Sequence, residues 1–305
     1  MRTPAVTIAR LQRLSTLLLV MVALGWAMAL AAQGHWVAGV VGALIVAFGY
    51  ALFLAAEFVL LLRHGIDVPT LRPTPGQLVK AWAGEVLRTP LVFCWRQPFR
   101  RRAEPDFLPR DAQGRRGVLF VHGFVCNRAL WNPWMRRLRA HGIPFVAVDL
   151  DPPFGSIDAY RSVLASAAER LRAATGRPPV VVAHSMGGLA VRAWLAGLSD
   201  AGAAIDRVVT IATPHGGTWL ARFALTRNGL EMQPGSAWLR LLGTREADGV
   251  QKRFVCYWGH CDNIVFPISS ARWPGADCRH LEATAHVQMA YHPQVFEDVL
   301  ALLQR

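Results

Sequence analysis

The sequence has few lysines, few acidic residues and no pair of cysteines at the spacing of a zinc site. Lys80 and Lys252 are its only lysines, so the excess of 33 basic over 20 acidic residues is carried by arginine. The five cysteines are scattered without a CxxC pair, which argues against a metal site or a disulfide framework. A disulfide between Cys261 and Cys278 remains an alternative if the compartment is oxidising.

The formal net charge of +13 suggests an anionic partner, either a nucleic acid or a membrane surface. The chain carries no recognisable nucleic-acid-binding motif, no internal repeat and no low-complexity segment. We therefore expect a membrane partner and no nucleic acid. The 305 residues suffice for one large domain with an appendage.

Residues 1–64 predict a transmembrane helical hairpin. Residues 14–32 carry no charge, and this stretch is long enough to span a bilayer. After a short polar turn, residues 37–62 form a second apolar stretch, interrupted only by Glu57, which we expect to snorkel or to be paired. A cleaved signal peptide is the alternative for the first stretch, because residues 29–32 resemble a cleavage site. The second stretch, which would act as a stop-transfer segment, favours the hairpin.

The charges around the hairpin predict its orientation. The turn between the two apolar stretches contains no Lys or Arg, whereas both outer flanks are basic. By the positive-inside rule both flanks, and the domain that follows, belong in the cytoplasm, where cysteines stay reduced. The flanking residues are Arg2, Arg10, Arg13, Arg63, Arg72 and Lys80.

Residues 65–116 predict a basic connector. Three prolines break its first part, and residues 77–93 then have the pattern of an amphipathic helix. Arginines between 96 and 102 follow, next to Trp95 and Phe99. This composition fits a helix at an anionic membrane interface, and it also fits a solvated cap over the next domain.

Residues 117–305 alternate between strand and helix patterns, which predicts an α/β domain with a mostly parallel sheet flanked by helices. The insertion at 216–251 is rich in bulky apolar residues and predicts a helical cap. The predicted strands are 118–121, 145–148, 180–183, 208–212, 254–258 and, weakly, 280–283. The predicted helices are 130–140, 157–174, 187–198 and 293–304.

Ser185 has the surroundings of a catalytic nucleophile. It follows a valine-rich strand, precedes a helix and is flanked by small residues at Ala183 and Gly187. A serine on such a sharp turn is the pattern of a nucleophile elbow, although the first small position is more often glycine. The helix that follows points its N-terminal amides at the reacting centre.

A serine nucleophile needs a base and an orienting carboxylate, and both follow Ser185 in the chain. Asp262 comes just after the predicted strand 254–258, and His286 lies in a loop before the last helix. An oxyanion hole also needs two backbone N–H groups. We expect them from Met186, directly after the nucleophile, and from Phe124, in the loop after the first strand.

Other residues compete for these roles. His122, His184 and His215 flank the turns of the motifs and are expected to be structural. His280 is an alternative base within a weakly predicted strand. Asp149 and Asp151 follow the second predicted strand and are interpreted as solvated loop carboxylates, and Asp277 is a weaker alternative acid.

Together these motifs resemble the bacterial lipase and esterase branch of the α/β-hydrolase superfamily, which includes triacylglycerol lipases and related GPI-anchor deacylases. The resemblance covers residues 117–305 and implies an α/β-hydrolase fold, a serine hydrolase and no cofactor. Some lipases of this kind bind calcium near the catalytic histidine, but no convincing carboxylate pair for it is present. The motifs are His122-Gly123-Phe124, Ala183-His184-Ser185-Met186-Gly187-Gly188 and Ala212-Thr213-Pro214-His215-Gly216-Gly217-Thr218, with Asp262 and His286.

The sequence thus predicts a multi-pass enzyme of a bacterial-type inner membrane that hydrolyses a carboxylic ester, with a lipid acyl ester as the expected substrate. An acyltransferase with the same triad is one alternative, and a catalytically inactive membrane scaffold is another. The substrate head group, the acyl-chain length and the oligomeric state stay open.

Overall fold

The computed structural model describes residues 7–304, which form an N-terminal helical segment and a C-terminal α/β domain. Arg2, which the predicted orientation uses, lies outside the described residues. The 3-10 turn Pro69–Leu71 precedes the fourth helix of the segment, and the π-helical turn Leu91–Arg96 follows it. The five helices are α1 (Ile8–Ala32), α2 (Trp36–Phe48), α3 (Tyr50–His64), α4 (Pro75–Pro90) and α5 (Gln97–Phe99).

The first apolar stretch is one long helix, whereas the second is broken. Helix α1 has 25 residues and a mean hydropathy of 2.2, so its length and composition suit a membrane span. Helices α2 and α3 pass the same test only as a pair, and they are bent by 43° at Gly49. The single helix predicted over 37–62 therefore does not form. The bend directs α3 onto the C-terminal domain, where Phe58 and Leu61 are buried.

Helix α4 begins with strong local signals and packs along α3. Thr74 and Gln77 form a capping box, and Pro75 occupies the first turn, so the helix starts two residues before the predicted start. The phenol of Tyr50 donates to the carbonyl of Val86 at 2.9 Å. The outer side of α4 and of the turn after it exposes apolar residues, which are Val79, Leu87, Leu91 and Trp95.

A six-stranded parallel sheet forms the centre of the C-terminal domain, with the order β2-β1-β3-β4-β5-β6. The five strands other than β6 are buried, apart from Arg207 at the start of β4, because helices cover both faces of the sheet. β6 spans Asp277–His280, whereas the sequence weakly predicts a strand at 280–283. The prediction misplaces this strand because an edge strand that is polar and half exposed has no hydrophobic pattern. The strands are β1 (Val118–Val121), β2 (Phe145–Ala147), β3 (Val180–His184), β4 (Arg207–Ile211), β5 (Phe254–Trp258) and β6 (Asp277–His280).

Helices cover both faces of the sheet, as the sequence predicts. Helices α7 and α8 bury Leu164 and Leu189 on one face, and α6 and α13 bury Met135 and Phe296 on the other. The remaining helices are α6 (Asn132–Ala140), α7 (Arg161–Thr175), α8 (Met186–Leu195), α9 (Ala201–Ala204), α10 (Arg227–Glu231), α11 (Ala237–Arg245), α12 (His286–Met289) and α13 (Pro293–Leu303). The 3-10 turns of this domain are Arg128–Trp131, Ile157–Tyr160, Trp219–Phe223, Val250–Arg253 and Ile268–Ala271.

The insertion 216–251 is helical, with α10, α11 and the turns at its two ends. Its bulky residues Trp238 and Leu242 pack on the sheet face covered by α7 and α8. Buried ion pairing fixes it there, because the guanidinium of Arg192 contacts the carboxylate of Glu246 at 2.6 Å. The insertion therefore covers this face of the domain.

Candidate active site

Ser185 stands on a sharp turn between β3 and α8. Its backbone has φ 54° and ψ −129°, a conformation that is strained for a residue with a side chain. A side chain at Gly187 could not be accommodated, since an added Cβ would lie 2.5 Å from the carbonyl oxygen of His122. Ala183 is fully buried and small enough for its place. These features describe a nucleophile elbow.

His286 and Asp262 are in direct contact. The imidazole Nδ1 lies 3.0 and 3.1 Å from the two carboxylate oxygens of Asp262. Asp262 follows β5 and is itself fixed, because one of its oxygens accepts the N–H groups of Ile264 and Val265 at 2.9 and 2.8 Å. With Nδ1 bound to the carboxylate, Nε2 is left to accept a proton.

The electrostatic surroundings of His286 favour its protonated form. Burial by itself lowers the pKa of the imidazole, but the charge of Asp262 and its hydrogen bond outweigh this and leave the pKa raised. Glu85 and Glu57 contribute in the same direction as Asp262. The imidazolium formed when His286 takes a proton is therefore stabilised by Asp262, and also by Glu85 and Glu57 when these are ionised.

Ser185 and His286 line the same cavity, together with Gly123 and Phe124. Among the hydrogen bonds between residues 7–304, none joins the Ser185 hydroxyl to the imidazole. Bonds of this kind are often long before substrate binds. The structure thus brings the serine and the Asp–His pair to one site, without a hydrogen bond between the Ser185 hydroxyl and the imidazole.

The two predicted oxyanion donors lie at this site. The loop after β1 runs directly against the elbow, since an added Cβ at Gly123 would be 2.8 Å from the Cβ of Ser185. Met186 opens α8, where the first N–H groups have no partner within the helix. In the described part of the chain, the N–H groups of Phe124 and Met186 donate to no protein acceptor.

Two glutamines of the N-terminal segment hold this loop. The side-chain oxygen of Gln97 accepts the N–H of Asn127 at 3.0 Å, and its own carbonyl accepts the Asn127 amide at 3.0 Å. Gln12 of α1 donates to the carbonyl of Val125 at 3.0 Å. Val125 has a φ of 54°, so the loop is strained at the point where Gln12 holds it. No local sequence pattern marks either glutamine as part of the site.

The competing histidines of the motifs support the loops around the site. Nε2 of His122 accepts the N–H of Leu150 at 3.0 Å, and Nε2 of His184 contacts the carbonyl of His286 at 3.2 Å. Burial lowers the pKa of both rings. His215 lies beneath Arg192, and burial together with this cation holds its pKa well below its usual range. The lowered pKa favours the neutral form of each of the three rings, and all three residues are bound to neighbouring groups.

The remaining alternatives are engaged elsewhere. His280 pairs with His260 through ring nitrogens 2.7 Å apart. Asp149 accepts the guanidinium of Arg101 at 2.7 Å, and Asp277 is bound to Arg279 at 2.8 Å. Asp151 is exposed, with a 3.7 Å contact to Arg101. The guanidinium of Arg101 is therefore bound to carboxylates of the α/β domain, whereas its neighbours Arg100 and Arg102 are exposed.

The cavity at Ser185 has a volume of about 600 Å³ and is largely apolar. Its far walls come from the N-terminal segment, namely Tyr50, Phe53 and Leu54 of α3, and Thr89 and Phe93 of α4 and the turn after it. No residue of the insertion 216–251 lines it. The sequence predicts a cap from the insertion, but helices from the N-terminal segment enclose the site.

Three further polar side chains at the cavity were not assigned a role from the sequence. Glu57, Glu85 and Asn263 line the cavity beside His286, and all three are buried. Burial raises the pKa of Glu85 to about 7, although hydrogen bonds from the backbone act against this shift. The only sequence signal was a carboxylate inside an apolar stretch, at Glu57.

The structure also bears on cysteines and metals. The sequence leaves open a disulfide between Cys261 and Cys278. In the structure, the residue paired with Cys278 across β5 and β6 is Cys256. All five thiols are free.

Within residues 7–304, no cluster of three His, Cys, Asp or Glu side chains could hold a metal ion.

The chain belongs to the alpha/beta hydrolase family, whose sequence model matches residues 118–300. This confirms the predicted fold. Solved structures of similar fold include the mature lipase BlEst2 of Bacillus licheniformis, 18% identical with a TM-score of 0.54, where the match covers 64% of this chain and 95% of that one. Aspergillus fumigatus lipase B is 18% identical with a TM-score of 0.57, over 67% of this chain and 57% of that one. No curated protein matched the sequence.

Proposed function

We propose that this protein is a membrane-anchored serine hydrolase that cleaves lipid acyl esters. Ser185 attacks the ester carbonyl, and Nε2 of His286 takes the hydroxyl proton. Asp262 holds the imidazole and stabilises its charge. The N–H groups of Phe124 and Met186 stabilise the oxyanion of the tetrahedral intermediate. His286 then gives its proton to the departing alcohol, which leaves an acyl-enzyme.

Water completes the reaction. It attacks the acyl carbonyl while His286 acts again as the base, and collapse of the second tetrahedral intermediate releases the fatty acid and restores Ser185. No cofactor is required. The observation that carries this proposal is the Asp262–His286 pair, which shares one cavity with a serine on a strained elbow.

The character of the cavity supports an acyl lipid as substrate. An acyl chain is apolar, and the cavity buries it among the apolar side chains of α3 and of the turn after α4 while its ester end reaches Ser185. Phe53 lines the cavity and is also two-thirds exposed, at 67%, so the cavity wall is continuous with the apolar surface of the N-terminal segment. A lipid could pass from a bilayer into the cavity along this surface.

Membrane anchoring is supported by the apolar surface of α1 and α2. Helix α1 is about 37 Å long at 1.5 Å per residue, enough for the hydrocarbon core. Helix α2 has 13 residues and reaches about 20 Å, so a second crossing needs the start of α3. Removal of α1 as a signal peptide would break contacts at the site, since Gln12 holds Val125 and Arg13 donates to the carbonyl of Pro98 at 2.8 Å.

The proposal is tested by comparing Ser185→Ala with the wild type, each as the full chain in detergent. Hydrolysis of a long-chain ester should fall by about three orders of magnitude or more. Ser166→Ala, at an exposed serine of α7, is the matched control and should hydrolyse the ester at the normal rate. Unchanged hydrolysis by Ser185→Ala would remove the nucleophile from the proposal.

A further inference from the structure

Two carboxylates of the N-terminal segment reach the backbone that carries His286. Glu85 of α4 is 1% exposed. One of its oxygens accepts the N–H of Val287 at 3.0 Å, and the other accepts the N–H of Gln288 at 3.1 Å. These are the two residues that follow His286 directly.

The N–H of His286 itself is held by a second connection. It donates to the side-chain oxygen of Asn263 at 3.1 Å. The amide nitrogen of Asn263 in turn donates to the carboxylate of Glu57, on α3, at 2.6 Å. Asn263 lies next to Asp262, so this connection joins α3 to both members of the Asp–His pair.

Helix α12 begins at His286, and its first N–H groups have no partner within the helix. Three of these N–H groups donate to side chains. Two of them donate to Glu85, and that of His286 donates to Asn263, which is bound to Glu57. Neither glutamate lies in residues 118–300, the part of the chain that matches the hydrolase family. The backbone at His286 is thus held partly by side chains from outside the hydrolase domain.

We propose that Glu85, supported by Glu57 through Asn263, is a positioning residue for His286, so that α3 and α4 complete the active site. This inference rests on the proposed function. Each carboxylate does two things. It fixes the backbone of His286, and when ionised it stabilises the imidazolium that forms during the reaction. The titratable groups that face His286 are Asp262, Glu57, Glu85 and His184.

The test uses Glu85→Gln in the full-length protein in detergent micelles, with Glu297→Gln as the matched control on an exposed part of α13. The rate of labelling by a fluorophosphonate is measured against pH. Glutamine can accept at one oxygen only and carries no charge. The limiting rate should fall about tenfold, and the acidic limb should move to lower pH by at least about 0.5 unit, because the imidazolium loses a stabilising charge. Glu297→Gln should label at the normal rate.

A Glu85→Gln variant that folds and keeps the wild-type acidic limb would overturn the proposal, whatever its limiting rate. A purely structural role would lower stability without moving the limb. Should this variant fail to fold, Glu57→Gln replaces it, because glutamine keeps an oxygen for Asn263 while removing the charge. Its limb should move in the same direction, and an unmoved limb contradicts the proposal.

Hydrogen–deuterium exchange separates this inference from the proposed function. The N–H groups of Val287 and Gln288 should exchange faster in Glu85→Gln than in the wild type, and equal protection would overturn the inference. If the wild type is not labelled, or Ser185→Ala is labelled equally well, the proposed function fails. The exchange result still decides whether Glu85 holds the backbone next to His286.

Discussion

Ser185 holds a backbone conformation that needs support on all sides. Its N–H donates to the carbonyl of Ile211 at 2.8 Å, and its own carbonyl accepts the hydroxyl of Thr213 at 2.9 Å. Thr213 belongs to the Thr-Pro-His-Gly-Gly-Thr motif, so this motif supports the elbow from β4. The strain at φ 54° persists because these bonds determine the turn from both ends.

The bond between Asp262 and His286 leads to the first prediction. Asp262→Asn should keep the fold but present an amide to Nδ1, which favours the wrong tautomer of the imidazole. We expect kcat to fall by about 10³ to 10⁴ with a small change in KM. Steady-state kinetics on a soluble short-chain ester measure both. A loss of less than tenfold would mean that another carboxylate orients the imidazole.

Individual residues differed in how far the sequence could predict them. Ser185, Asp262 and His286 stand out because the chemistry requires their types and the α/β-hydrolase fold places them in a fixed order along the chain. Glu85 does not, since its partner Val287 lies 202 positions away and nothing local marks an amphipathic helix as part of an active site. The role of Gln97 could not be predicted for the same reason, since its partner Asn127 lies 30 positions away. Contacts of this kind become visible only when the fold brings the two segments together.

Among the elements, hydrophobic strands were easy to predict and irregular ones were not. The valine-rich β3 has a strong signal because both its faces are buried, whereas β6 has the sequence Asp-Cys-Arg-His and lies at the sheet edge. The second apolar stretch predicted one helix because hydropathy cannot show a bend at Gly49. The insertion 216–251 and α3 are both apolar, and only the structure distinguishes which of them lines the cavity.

The position of α3 leads to a prediction about chain length. Leu54→Trp should narrow the cavity and lower kcat/KM for long-chain esters relative to short-chain ones by about tenfold, since one or two excluded methylenes are worth roughly 1–3 kcal/mol. Leu241→Trp, at an exposed position of α11, is the control and should leave the ratio unchanged. Esters of several acyl lengths give the ratio. A shift with Leu241→Trp alone would place the acyl chain under the insertion.

At the scale of the whole molecule, the N-terminal segment and the hydrolase domain share a core. Phe58 and Leu61 of α3 and Ala81 of α4 pack with Trp258 and Phe266 of the hydrolase domain. The connection continues in the backbone, where Ile268 donates to the carbonyl of Gly65 at 2.9 Å. We therefore expect the segment to be needed for activity and not only for attachment.

The orientation of the whole chain can be tested separately. With basic flanks on both sides of the apolar helices, we expect the hydrolase domain in the cytoplasm. In a bacterial host, alkaline phosphatase fused after residue 305 should be inactive, whereas a reporter that works in the cytoplasm should be active. A fusion in the turn at residues 33–35 is the internal control and should give the reverse pattern. An active phosphatase after residue 305 would contradict this orientation.

The central claim is that Ser185 becomes acylated with the help of His286 and Asp262. Mass spectrometry of the full-length protein, treated with a fluorophosphonate and then digested, tests this most directly. The account predicts a single adduct on the peptide that contains Ser185, formed far more slowly in His286→Ala and lost in Ser185→Ala. An adduct on a different serine, or equal labelling of Ser185 in His286→Ala, would contradict it.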